Sequence, residues 1–428
     1  MSDSHQEHVG GRPWTPIREK WLLITLAAIQ FTTVLDFLII MPLGPQYMRV
    51  FHINPPEFGI IVSSYVFSAG IAGVLASLFI DRFDRRTALL WLYFGFGIST
   101  LLCALAPSYR LLVAARLIAG AFGGVTGSLI LAIIGDMIPE VRRGAAMGLV
   151  MSSWSIASVC GVPIGLVLAA DFSWHVPFYA LAGLCLLVLI AVGMALPSLQ
   201  RHRKHAHDRR PWEFMKEVIS RPAHQKSFLF MAGLTFMGFC VFPYISPFMV
   251  SNVGMTEKQL LYVYGVGGLF TVFSMNWVGR WSDRIGKLPV FRISALSTIL
   301  PILALTNLPR VPLWGAVAVT TAFMICMSSR MVPAMAMMTS VVEPRYRGSF
   351  MSINSSVQQL SAGLAAYLIG KILGVAPDGK MTHYPYAGFV ALAFVGICLY
   401  IANTLPRPVS KSDTSDHLSG EQSHLITE

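Results

Sequence analysis

The chain has 428 residues, 54% of them apolar and only 12% charged, with a formal net charge of +11. That charged share is about half of what a soluble domain uses to coat its water-facing surface, which excludes an ordinary soluble fold. The cations sit in short joints between apolar blocks and form no surface patch of the kind nucleic acid needs.

The blocks run to twenty residues or more, long enough to cross a ~30 Å hydrocarbon core as helices. In chain order they predict twelve spans at 21–42, 58–80, 87–106, 110–134, 144–169, 174–197, 227–250, 259–278, 288–307, 311–338, 348–373 and 384–405. The resulting architecture is all-α and membrane-embedded. A cytoplasmic tail (1–20) precedes a six-helix bundle (21–197), a basic linker (198–226), a second bundle (227–405) and a polar cytoplasmic tail (406–428). The first block is too long and too polar-studded for a cleavable signal and reads as a retained span. Sorting Lys and Arg by alternate joints gives 23 on the side of the termini, six on the other and three within spans. By the positive-inside rule both termini are cytoplasmic.

The linker contains RHRKHAHDRR, a solvated basic segment near anionic lipid. The following PWEFMKEVIS places Trp212, Met215, Val218 and Ile219 on one helical face, which predicts a short helix lying under the bilayer. The six cysteines fall on different spans, with no CxxC pair and no histidine at ligand spacing, so they read as packing residues and no metal site is expected. The halves repeat each other. Asp81-Arg82 recurs as Asp283-Arg284, and Arg143-Gly144 as Arg347-Gly348, at offsets of 202 and 204 residues.

These landmarks resemble the major facilitator superfamily over residues 21–405. GRWSDRIGK, from Gly279 through Asp283, Arg284 and Gly286, fits the family's loop signature G-x-x-x-D-R-x-G-[RK]. The first-half loop SLFIDRFDRR keeps Asp81, Arg82 and Arg85 but has Ser77 and Asp84 at the glycine positions. The resemblance implies an inner-gate latch in which these arginines pair with acids such as Asp136. RLIAGAFGGVTG resembles the family's fourth-span pattern through Arg116, Gly120 and Gly124, the glycines allowing close helix packing. CGVPIG resembles the fifth-span motif of antiporters through Gly161 and Gly165, with Pro163 one place late. The GVPIG form is similar to the proton-coupled drug and sugar efflux branches. A kink needed only for packing is the other reading.

An ionised side chain inside a bilayer costs several kcal/mol unless paired or hydrated. Asp36 is the one acid well inside a span, and rise per residue places Arg116 at the same depth. Gln30, Thr32 and Thr33 share or border the Asp36 arc, so one polar stripe of the first span is expected to face inward. Dehydration favours the neutral acid and Arg116 favours the anion, which suits Asp36 to proton coupling; a permanent structural ion pair is the competing reading. Arg330, with no acid at its depth in its own half, binds an anionic or polar substrate group, snorkels, or satisfies backbone carbonyls. Arg292 reads as a snorkelling interface residue. Tyr65, Trp154, Tyr244, Asn354 and Gln358, on spans that line the pathway in the family, are expected to bind substrate beside Gln30, Thr33 and Arg330.

The expected function is secondary active transport of a small organic solute, a drug, sugar or metabolite, by proton-coupled efflux. A proton-coupled uptake symporter, a facilitator and a non-transporting receptor remain alternatives. No GxxxxGK[ST] loop is present for an ATP-driven pump, and no GxSxG or HExxH for a membrane enzyme. The expected partners are the solute, protons and lipid, without nucleic acid. The proton gradient stands in place of a cofactor, and the expected state is a monomer in a bacterial inner membrane.

Overall fold

The computed structural model describes residues 8–9, 12–13, 16–77, 83–195, 211–343 and 347–405. After a minimal hairpin of β1 (His8–Val9) and β2 (Arg12–Pro13), the chain is built almost wholly of helices. The first half comprises α1 (Pro16–Ile39), the short α2 (Gly44–Val50), α3 (Pro55–Ser77), α4 (Arg85–Ala104), α5 (Tyr109–Met137), α6 (Glu140–Ile156), a π turn (Ala157–Gly161), α7 (Val162–Asp171) and α8 (His175–Ala195). Helix α9 (Pro211–Ser220) leads into α10 (Pro222–Val241), α11 (Ile245–Phe248), α12 (Leu260–Ile285), α13 (Lys287–Ser297), α14 (Ile299–Thr306), α15 (Leu313–Ser329), α16 (Met331–Ser340) and α17 (Arg347–Ile372). A hairpin of β3 (Gly374–Val375) and β4 (Met381–Thr382) joins α17 to α18 (Tyr384–Thr404).

Among the described residues successive pieces merge into twelve long helical passes, because α6 continues through the π turn into α7, α13 into α14 and α15 into α16. Among the described residues eleven passes are long and apolar enough to cross a membrane. The twelfth, α17, carries Ser352, Asn354, Ser355, Ser356, Gln358 and Gln359 in its first half. It can be this polar because it packs centrally, its length lying against α3.

Each half is a bundle. In the first, α4 packs on α5 and α8, and α1 on α6 and α8; in the second, α10 packs on α17 and α18, and α12 on α15. Small residues make the closest seams. A side chain at Gly120 would strike the Tyr65 carbonyl, and one at Gly124 would come within 2.7 Å of Ala69, so α5 lies directly on α3. Two seams join the halves. Along α3 and α17, Gly59 faces Ala366 and Gly370, and Gly73 faces Ser356; along the fifth and eighth passes, Gly268 faces Ser158.

The two repeat loops end their helices differently. Gly286 adopts φ +105°, a conformation that strongly favours glycine, where α12 turns into α13. Asp84, at the matching place in the first half, has φ −61° and caps α4 by accepting the Thr87 N–H at 3.1 Å. The missing glycine is therefore replaced by a capping acid. The predicted helix after the linker forms as α9, but Met215 and Val218 are buried against the second half instead of facing lipid, whereas Ile219 is exposed. Arg292 is exposed and holds the Asn403 side chain near the end of α18.

Candidate transport site

The centre of the first half is an ion pair. Asp36, three residues from the end of α1, and Arg116, in the second turn of α5, meet at 2.6 Å with side chains 0% and 1% exposed. Arg116 Nη1 also approaches the Asp36 carbonyl at 3.4 Å, and the Thr100 hydroxyl on α4 donates to the second carboxylate oxygen at 3.4 Å. The guanidinium lies over the Tyr65 ring, 4.2 Å from its centroid. Removing both charges from water is costly, and the contact repays that cost only through this close geometry. The equal depths read from the sequence thus correspond to direct contact.

The polar stripe of α1 divides. Thr32 turns into the bundle, where its hydroxyl meets the Tyr93 hydroxyl at 2.9 Å, and Thr33 donates back to the Ile29 and Gln30 carbonyls. The Tyr93 contact commits Thr32 to packing within the first half. Gln30 is buried, and its Oε1 lacks a hydrogen-bond partner among the described residues.

The other expected binding residues do not form one wall. Trp154 is 44% exposed and meets the edge of Phe37. Tyr65 is buried between Arg116 and the Phe37 ring, supporting the pair from below. Tyr244 is fully buried, its hydroxyl donating to the Ala366 carbonyl beside Gly59 and Gly370, so it belongs to the seam between the halves and not to an open binding surface. Asn354 is buried, its Oδ1 without a partner among the described residues, and Gln358 accepts from the Thr235 hydroxyl at 3.4 Å. Arg330 is buried within the second half.

Phe37 and Phe239 were not singled out in the sequence. Phe37 follows Asp36 directly, and its ring centroid lies 5.6 Å from Tyr65, 6.4 Å from Trp154 and 6.0 Å from Phe239 of the other half. An aromatic cluster therefore spans the two bundles beside the ion pair. Phenylalanines inside an apolar block carry no sign of such a role.

Of the expected gate residues, Arg85 pairs with Asp136, joining α4 to α5 within the first half. Asp81 and Arg82 lie outside the described residues. Asp283 and Arg284 are exposed and make no ion pair among the described residues, while neighbouring Lys287 reaches the Ala336 carbonyl at 3.2 Å. Gly279 is loosely packed, 3.8 Å from Val332 for an added side chain. In the CGVPIG stretch, Gly161 accommodates Leu35 and Gly165 accommodates Ile39, both from α1. Pro163 opens α7 directly after the π turn, where a missing N–H costs little, and lies against Gly265 of the eighth pass.

The end of the molecule away from the termini is closed by links between the halves. Glu257 takes Arg49 at 2.6 Å and Gln46 at 2.8 Å, and Lys258 pairs with Asp171 at 2.7 Å. Gly44 packs on Pro247 across the halves, while within the second half Asn252 clamps the β3–β4 hairpin by accepting the Met381 N–H and donating to its carbonyl. These links were not foreseen, although the participating charges all stand in short outer joints.

The family model described as Major Facilitator Superfamily matches residues 26–366 and, in a second match, 271–427. The uncharacterized MFS-type transporter YceJ of Bacillus subtilis (strain 168) is 24% identical over 398 residues, covering 92% of this chain and 96% of its own. Multidrug resistance protein 2 of the same organism is 22% identical, covering 89% of this chain and 95% of its own. Among solved structures, that of a D-xylose-proton symporter superposes with a TM-score of 0.72 at 17% identity, covering 93% of this chain and 99% of that one.

Proposed function

The chain belongs to the Major Facilitator Superfamily and is a membrane transporter, and on that premise we propose that it exports a small organic solute in exchange for protons. The observation that supports coupling is the buried Asp36–Arg116 pair. An arginine stays charged under all physiological conditions, so a proton can be taken up at this pair only by the carboxylate. Protonation of Asp36 weakens its hold on Arg116 and frees the guanidinium to shift over Tyr65. The aromatic cluster beside it contacts both bundles, which gives occupancy between the halves a path to the pair. Alternating access follows if the closed outer end opens in one protonation state and seals in the other.

Efflux is favoured over uptake by the antiporter-like CGVPIG stretch, which is packed on the same helix as Asp36, and by the relative named as a multidrug resistance protein. Everted vesicles carrying a preset pH gradient test both points with a panel of lipophilic amines, carboxylates and monosaccharides. The wild type is expected to dissipate the gradient when its solute is added. The D36N/R116Q double variant, which replaces the pair by two neutral hydrogen-bonding groups, is expected to exchange solute without moving protons. Full proton-coupled accumulation by Asp36→Asn would overturn the reading, and downhill flux without proton movement in the wild type would identify a facilitator.

A further inference from the structure

The second half holds a buried cation in a very different setting. The Arg330 side chain lies at the junction of α15 and α16 and is 2% exposed. Its guanidinium makes contact with the Leu234 carbonyl at 3.0 Å and with two thioether sulfurs, Met327 at 2.9 Å and Met237 at 3.5 Å, while Nε has no partner among the described residues. No acid meets it among the described residues. Thioethers are weak acceptors on flexible, unbranched side chains. A guanidinium in this position lacks the oxyanion that its fixed fork of donors is built to hold.

The location gives that vacancy a direction. Thr235, Gly238 and Phe239 recur on one half-buried face of α10, which Phe242 continues just beyond the helix, and Phe239 on this face touches Phe37 of the other half. Gly238, one turn after the buried Leu234, has no side chain, and an added Cβ would stand 3.5 Å from Arg330 Nη2. The guanidinium thus lies directly under the inter-half surface, separated from it by a bare stretch of backbone and by the half-buried Met327. In the first half, by contrast, Asp36 neutralises the buried Arg116.

The geometry points to Arg330 as the binding site for the negative group of the transported solute, with the adjoining Phe239, Phe37 and Trp154 rings receiving its apolar body. The solute is therefore a lipophilic organic anion such as an aromatic carboxylate. This rests on the transport reading above and names the substrate class, but it does not depend on Asp36 being the proton carrier.

Matched carboxylates and amides separate charge recognition from mere apolar binding. Benzoate, salicylate and indole-3-acetate are compared with benzamide, salicylamide and indole-3-acetamide by the shift each causes in the melting temperature of the purified protein. At least one carboxylate is expected to stabilise the wild type while its amide does not. Arg330→Gln should weaken that carboxylate at least tenfold, and Arg330→Lys should retain part of the binding. Equal stabilisation by the amides, no response to any carboxylate, or unchanged affinity in Arg330→Gln would overturn the proposal. The comparison within the wild type decides the matter even if the glutamine variant does not fold. Failure here leaves the proton-coupling assay intact, and loss of proton coupling leaves this binding assay intact.

Discussion

At the scale of single residues, the two members of the buried pair are not equivalent. Replacing Arg116 leaves a carboxylate that can become neutral by taking a proton, whereas replacing Asp36 strands a guanidinium that cannot discharge. Asp36→Asn is therefore expected to destabilise the protein by about 3–5 kcal/mol, and Arg116→Gln by about 1–3 kcal/mol. Melting of the purified variants in one detergent checks the order; a lower melting temperature for Arg116→Gln would contradict it. This pair was legible in the sequence because charge inside an apolar block needs a partner and equal depth supplied one. The ring of Tyr65 beneath it was assigned to the binding surface, since a sequence gives the depth of a side chain but not the neighbour that covers it. Phe37 and Phe239 could not be read at all, because an aromatic residue in a span looks the same whether it faces lipid, core or the space between halves.

At the scale of helices and loops, the positions of the elements were well marked by hydropathy and punctuation, and the glycine seams by their spacing. Their partners were not, since spacing shows that a backbone can be approached closely without showing by what. The two repeat loops illustrate how one outline is met by two chemistries. Gly286→Ala forces a side chain onto a positive φ and is expected to cost about 1–3 kcal/mol. Asp84→Ala removes only a cap, at about 1 kcal/mol. Asp84→Gly should be milder still, because glycine is itself an acceptable cap. Thermal denaturation of the three variants tests the ranking. Gly124→Val would push α5 off the Ala69 backbone and is expected to abolish recovery of folded, monodisperse protein, read by size-exclusion chromatography.

At the scale of the whole molecule, closure of the outer end is concentrated on few polar links. Arg49 is largely exposed, so its contact with Glu257 is weakened by solvent; the Gln46 contact is better shielded. Together they are worth about 1 kcal/mol, and Glu257→Gln is expected to shift the balance between outward-closed and outward-open forms roughly fivefold. Spin labels on the outer ends of the two halves report this as a gain in the long-distance population. An unchanged distribution would assign closure to the Gly59, Tyr244 and Gly370 packing instead. The general two-bundle plan followed from charge sorting and the internal repeat, but which end is shut follows from tertiary contacts that no periodicity encodes.

The π turn at Ala157–Gly161 sets the phase of everything after it. It contains one residue more than an α-helical turn, and each residue in a helix accounts for about 100° of rotation. Deleting a single residue there would let the helix close up regularly, yet would swing Pro163 and Gly165 about a quarter turn away from Gly265 and Ile39. The fifth pass is therefore a segment in which length is more constrained than composition: it should accept many substitutions on its lipid side, but no shortening.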